Sequence, residues 1–222
     1  MNFNVDKPMS DELIDIFDEN MNFLGTAMKS QAHREGLWHK TFHCWLAQKD
    51  VNGKILLWLQ LRNFDKDIFP GKLDISAAGH IRAGEEVKDA YREISEELGL
   101  KLNKDDIIKL FTSKEIYEAE SVNNREFQMV YMAMVEGSPY KAVLQPEEVA
   151  GLYEVDIDEF CNLINERTDQ IEAKGIKRNP DSSYTLEFRN VTKADVAPHA
   201  KEYYNKALEM IKRFVTNSSL AS

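Results

Sequence analysis

Two cysteines, six prolines and ten glycines in 222 residues are too few for a disulfide-stapled scaffold, a proline-rich linker or a collagen-like repeat. Basic residues are also in deficit: 28 Lys and Arg face 38 Asp and Glu, a formal net charge of −10. Such a field repels a phosphate backbone, so nucleic acid is not an expected partner. No apolar run approaches the roughly 18 residues of a membrane span. The N-terminus has no basic start followed by an apolar stretch, so neither membrane insertion nor export is signalled. No period of repeat length is visible. Cys44 and Cys161 stand alone in apolar patterns and read as small core residues of a cytoplasmic protein.

What is present fits a globular chain that can bury a core: 43% of residues are hydrophobic and 30% charged. Alternating patterns predict strands over 12–17, 37–48, 54–62, 73–78, 107–119 and 126–135. Asn52-Gly53 predicts a hairpin, and 121–125 a polar turn. An apolar stripe of Val87, Ala90, Tyr91, Ile94 and Leu98 predicts a helix over 86–98, stopped by Gly99. Further helices are expected over 157–167, with Asp156 as cap, and over 198–215, with a hairpin through Asn179-Pro180-Asp181 between them. The class is α/β or α+β, a mixed sheet flanked by helices. The expected organisation is a domain over 10–160 and a C-terminal hairpin and helix over 161–222 that covers it or builds a homodimer contact.

The informative segment is GHIRAGEEVKDAYREISEELGL, residues 79–100. On a helix, Glu93, Glu96 and Glu97 share roughly 100° of arc beside the apolar stripe. Like charges at i,i+3 and i,i+4 repel, and the last turn of a helix disfavours anions. Arg92 can pair with Glu96 at i+4 but lies about 100° from Glu93 on the wheel and does not neutralise all three. A hard divalent cation would, and Mg²⁺ is characteristically held by a few carboxylates together with substrate phosphates. A bare E-x-x-E-E string is, by itself, more often a solvated face.

The full spacing resembles the signature box of the Nudix hydrolases. Gly79, Glu85, Arg92, Glu93, Ile94, Glu96, Glu97, Gly99 and Leu100 match it, with six residues instead of seven between Glu85 and Arg92. The unbroken apolar stripe places that shortening at the helix entry. The resemblance implies a Nudix fold in which Glu93, Glu96 and Glu97 hold Mg²⁺ or Mn²⁺. It also implies hydrolysis of a diphosphate bond in a nucleoside diphosphate linked to X or a related small molecule. Glu93 and Glu126 are both candidates for the base that takes a proton from water.

Residues 12–131 also resemble one branch of that family, the isopentenyl diphosphate isomerases. The residues matching Arg62 and Lys66 contact the substrate diphosphate there, and here they are basic groups on a loop leaving a central strand. Ala78 stands where the isomerase has its proton-transferring cysteine. The isomerase metal cage uses three histidines and two glutamates. Asn124 replaces one of those glutamates, and His33 and His39 are one residue closer than expected, so the cage is expected to be compromised. His39 and His43, some 13 Å apart along a strand at about 3.3 Å per residue, read as partly buried polar residues, and His80 as a loop-fixing one. Two rival functions follow: an isomerase-like enzyme, or a Nudix module that binds a diphosphate without cleaving it.

Overall fold

The computed structural model describes residues 11–119 and 122–218. Ser121 of the predicted turn and the outer ends of the two predicted regions, residue 10 and residues 219–222, lie outside the described residues. The chain opens on β1 (Leu13–Phe17), β2 (Phe23–Met28) and α1 (Lys29–Glu35). Gly36, in the left-handed conformation at φ 66°, stops α1 and turns the chain back. Neither β2 nor α1 is expected from the sequence. β3 (Trp38–Lys49) and β4 (Ile55–Arg62) form the hairpin predicted at Asn52-Gly53, where Asp50 bonds across the turn to Lys54.

The single strand predicted over 73–78 is two. β5 (Leu73–Asp74) pairs with β4, and β6 (Ala77–His80) crosses to pair with β3. The predicted acidic helix is shorter than its periodicity suggests. A 3₁₀ turn at Asp89–Tyr91 leads into α2 (Arg92–Leu98), and the preceding acids bond locally instead. Glu85 accepts from the Arg82 backbone and Asp89 from that of Glu86, offering these residues an alternative to helix.

The rest of the chain forms β7 (Ile108–Ala119), β8 (Val122–Met134), β9 (Val149–Asp156), α3 (Ile157–Ile164), β10 (Gln170–Arg178), β11 (Tyr184–Thr192) and α4 (Lys201–Ser218). Asp156 caps α3 as expected, accepting from the backbones of Asp158 and Glu159. β8 begins before the predicted Glu126, so Asn123 to Arg125 belong to the ladder with β7. β9 is not predicted from the sequence. No described helix is long and apolar enough to cross a membrane.

β3 is the hub of the mixed sheet. One of its edges serves β1, β6 and β4 in turn, all antiparallel, and the other runs parallel to β8 from Trp38↔Arg125 to Ala47↔Met134. Period-two alternation sends Phe42, Cys44, Leu46 and Trp58 to one core with Ile94 and Leu98 of α2. Trp45, Leu57, Leu59 and Leu61 go to a second core with Phe160 of α3 and Tyr204, Leu208 and Ile211 of α4. The sheet is thus enclosed between helices. Along β3 the pattern breaks at His39, Thr41 and His43, all buried and polar, which marks where the site begins.

Candidate active site

The acids of α2 meet the backbone of β6. Glu97 is buried, and its Oε2 accepts the backbone N–H of Ala78 at 3.1 Å and faces the Gln60 amide at 3.5 Å. Glu93 lies against Gly79 so closely that a Cβ there would fall 2.2 Å from its Cδ. Glycine is required at that position to leave room for the acid. Burial, with the Glu93 and Glu148 charges adding to it, raises the Glu97 carboxyl well above the usual range. Burial also raises Glu93 to about 7 against the pull of Arg92, with Glu96 helping to raise it.

Arg92 does more than the helical wheel allows. Its guanidinium bonds Glu85 through Nε and one terminal nitrogen, and Glu93 and Glu96 through the other. Arg92 thus reaches Glu93 despite the 100° between them on the wheel, yet it does not neutralise all three acids. Glu85, displaced by the shortened box, is a partner of Arg92. Glu96 remains the most exposed of the three acids, at 44% of its side chain. Arg92 makes no bond to Glu97 among the described residues, so the buried carboxylate that most needs a positive partner is the one arginine does not supply.

Arg62 and Lys66 are each paired with a carboxylate outside α2. Arg62 Nε donates to the Ile68 carbonyl and one terminal nitrogen lies 3.2 Å from Asp74, while its charge is felt by Glu97. Lys66 pairs with Glu148, whose charge is also felt by Glu97. Glu93 and Glu97, dehydrated and lifted toward protonation, have the chemistry that a divalent cation relieves, but with Glu96 they do not bring three oxygens within 4.8 Å of one another.

A second cluster lies beside the first. His33, His39 and His80 each offer a ring nitrogen within 4.8 Å of the others, the only such group of three found among the described residues. Of the two features expected to compromise the cage, the shorter spacing does not part the histidines, while Asn124 still stands in place of a glutamate. The spacing is absorbed because α1 ends at Gly36 and brings His33 back over His39, with ring centroids 5.1 Å apart. His33 Nε2 lies 3.1 Å from His80 Nε2. His39 Nε2 is buried and has no hydrogen-bond partner. Burial above all lowers the basicity of all three rings and so favours the neutral imidazole, the form that binds a metal. These residues could hold a borderline transition metal such as Zn²⁺.

Glu126 closes the cluster. It is buried opposite His39 in the β3–β8 register, accepts from Thr41 at 3.2 Å and Asn124 at 2.7 Å, and turns one oxygen toward His39 and the other toward His43, each at 3.9 Å. His39 and His43, too far apart along the strand to share an ion, share a carboxylate.

The residues missed by the sequence reading come from elsewhere in the chain. Gln60, a buried amide in an otherwise apolar strand, carried a readable signal. Glu148, Asp74 and His199 carried none, because Glu148 meets Lys66 from 82 residues away and Asp74 and His199 meet across 125 residues. His199 precedes α4 and sits between Asp74 (2.9 Å) and Glu115 (2.9 Å).

The family model described as NUDIX domain matches residues 37–178. The chain is 32% identical over 203 residues to a Nudix hydrolase of Clostridium acetobutylicum described as uncharacterized, covering 91% of this chain and 98% of that one. It is 29% identical over 184 residues to an isopentenyl-diphosphate Delta-isomerase of Serratia proteamaculans, covering 82% and 90%. The fold is similar to the crystal structure of DR0079 from Deinococcus radiodurans, with a TM-score of 0.54 at 22% identity over 70% of this chain and 90% of that one.

Proposed function

The chain belongs to the Nudix family and is an enzyme of its hydrolase type; on that premise we propose that it hydrolyses a diphosphate linkage in a nucleoside diphosphate linked to X, or a related small-molecule diphosphate, with Mg²⁺ or Mn²⁺. The observation that carries this reading is the seating of the buried Glu97 on the Ala78 backbone and of Glu93 against Gly79, with the charge of Arg62 acting on Glu97. A divalent cation held by Glu93, Glu96 and Glu97 would supply neutralisation of the diphosphate and a more acidic water.

The chain's own residues supply the rest. Arg62 and Lys66 grip phosphate oxygens, Arg62 through N–H groups not engaged by Ile68 or Asp74. Arg92 holds Glu93 Oε1 and thereby orients the other oxygen. Glu93 accepts the proton of the attacking water through that second oxygen, since it neighbours Glu97, on which the Arg62 charge acts, whereas Glu126 is engaged by Thr41, Asn124 and the histidines. The test is a panel of nucleoside, sugar, dinucleotide and prenyl diphosphates incubated with Mg²⁺ and assayed for released phosphate or nucleotide. Release from at least one class supports the reading, and binding without release from any class contradicts it.

A second reading, isopentenyl diphosphate isomerisation, is favoured by the convergence of His33, His39 and His80 with Glu126. Against it stands Ala78, whose methyl group cannot move a proton. Conversion of isopentenyl diphosphate to its allylic isomer without phosphate release would select this second reading.

A further inference from the structure

The segment that leads into α4 does more than fill the core. His199 Nε2 lies 2.9 Å from Asp74 Oδ1 and its Nδ1 2.9 Å from both oxygens of Glu115, with only 5% of the side chain exposed. Asp74 uses its second oxygen to hold Arg62 at 3.2 Å, and Gln128 donates to Glu115 at 2.6 Å. Arg62, Asp74, His199 and Glu115 thus run in a line of alternating acid and base, buried at Asp74 and His199 and partly buried at its two ends.

We propose that His199 is a positioning residue for diphosphate binding: by clamping Asp74 to Glu115 from the C-terminal segment, it sets the direction of the Arg62 guanidinium before substrate arrives. This rests on the reading of Arg62 as a phosphate contact. Anchoring a helix does not call for such a chain, since apolar groups of similar volume do so without dehydrating four charges. A preset guanidinium, by contrast, needs a fixed carboxylate, and a carboxylate as deeply buried as Asp74 needs a cation on its other oxygen. Phe69, on the loop after β4, packs edge-on against His199 at 5.9 Å, so the histidine also braces the loop that carries Lys66.

The test is titration calorimetry of the full chain with inorganic diphosphate in Mg²⁺, comparing His199→Gln in the wild-type and Arg62→Ala backgrounds. His199→Gln is expected to weaken binding about tenfold in the wild-type background and by less than about twofold in Arg62→Ala. Glu115→Gln, which removes the charge on the far side of His199 and preserves shape, is expected to weaken binding with the same dependence on Arg62, and serves if His199→Gln does not fold. Equal weakening in both backgrounds, or none in the wild-type background, would overturn the proposal while leaving the hydrolase reading intact. A wild-type chain that binds no diphosphate would overturn both.

Discussion

Glu97 Oε2 accepts the Ala78 backbone N–H at 3.1 Å, so the carboxylate expected to hold a cation is also the one that fastens α2 to β6. Glutamine retains an acceptor there and loses the charge. Because the folded-state pKa of Glu97 is raised above its unfolded value, its ionised form costs stability at neutral pH in the metal-free protein. Glu97→Gln should therefore leave the metal-free melting temperature unchanged or higher, abolish the stabilisation by Mg²⁺, and lower turnover by about 10² or more. Calorimetry with and without Mg²⁺, alongside turnover, reads all three. Full turnover at saturating Mg²⁺ would remove Glu97 from the site.

Gly79→Ala tests the fit between strand and acid. The added methyl would lie 2.2 Å from Glu93 Cδ and 2.5 Å from its Oε1, so the glutamate side chain must swing away. The backbone has no need to move, and the expected result is a folded protein with turnover reduced by about tenfold to 10³-fold. Undiminished turnover would mean that the position of Glu93 is irrelevant.

Glu93 and Glu126 divide the candidate base role. Glu93→Gln should lower kcat by about 10² to 10⁴. Glu126→Gln, whose oxygens face Thr41, Asn124 and two histidines, should cost hydrolysis less than about tenfold. Steady-state kinetics of the two variants decide the matter, and the reverse ranking would transfer the role to Glu126.

His199 makes stability depend on pH. Burial alone would lower its pKa, but the carboxylates of Asp74 and Glu115 push it up to about 10, from 6.5. Its contribution is fully present below about pH 6.5 and is lost as pH rises toward 10. Asp74, depressed below its ordinary 3.8, loses its contribution only as pH falls below that value. Urea unfolding at pH 6, 8 and 10 should show the wild type losing a few kcal/mol relative to His199→Gln. A difference that does not change with pH would contradict a charged His199 in the folded state.

The parts of this site readable in the sequence are those whose partners are close along the chain. The stripe from Ala90 to Leu98 and the spacing of Glu93, Glu96 and Glu97 are local properties of one helix, and they locate the acids. The 3₁₀ entry was hidden because a 3₁₀ turn and an α-turn put Ala90 and Tyr91 on nearly the same face. The gathering of His33, His39 and His80 depends on the Gly36 turn and on β6 crossing to β3, which no local pattern encodes. The same holds for His199, whose contacts with Asp74 and Glu115 bring the C-terminal segment to the site from 125 and 84 residues away. β9 was missed because Gly151, which passes close to the Ile176 carbonyl, and the charged Glu154 interrupt its apolar alternation.

The most direct measurement is ³¹P NMR of a nucleoside diphosphate-linked substrate turned over in ¹⁸O-enriched water with Mg²⁺. The coupled diphosphate signals are expected to give way to two monoester signals, one displaced by a single incorporated ¹⁸O, and Glu93→Gln and Glu97→Gln to leave the diphosphate intact. Diphosphate signals that persist with the wild-type chain across the substrate panel, or that vanish equally with the Glu97→Gln variant, would contradict this expectation.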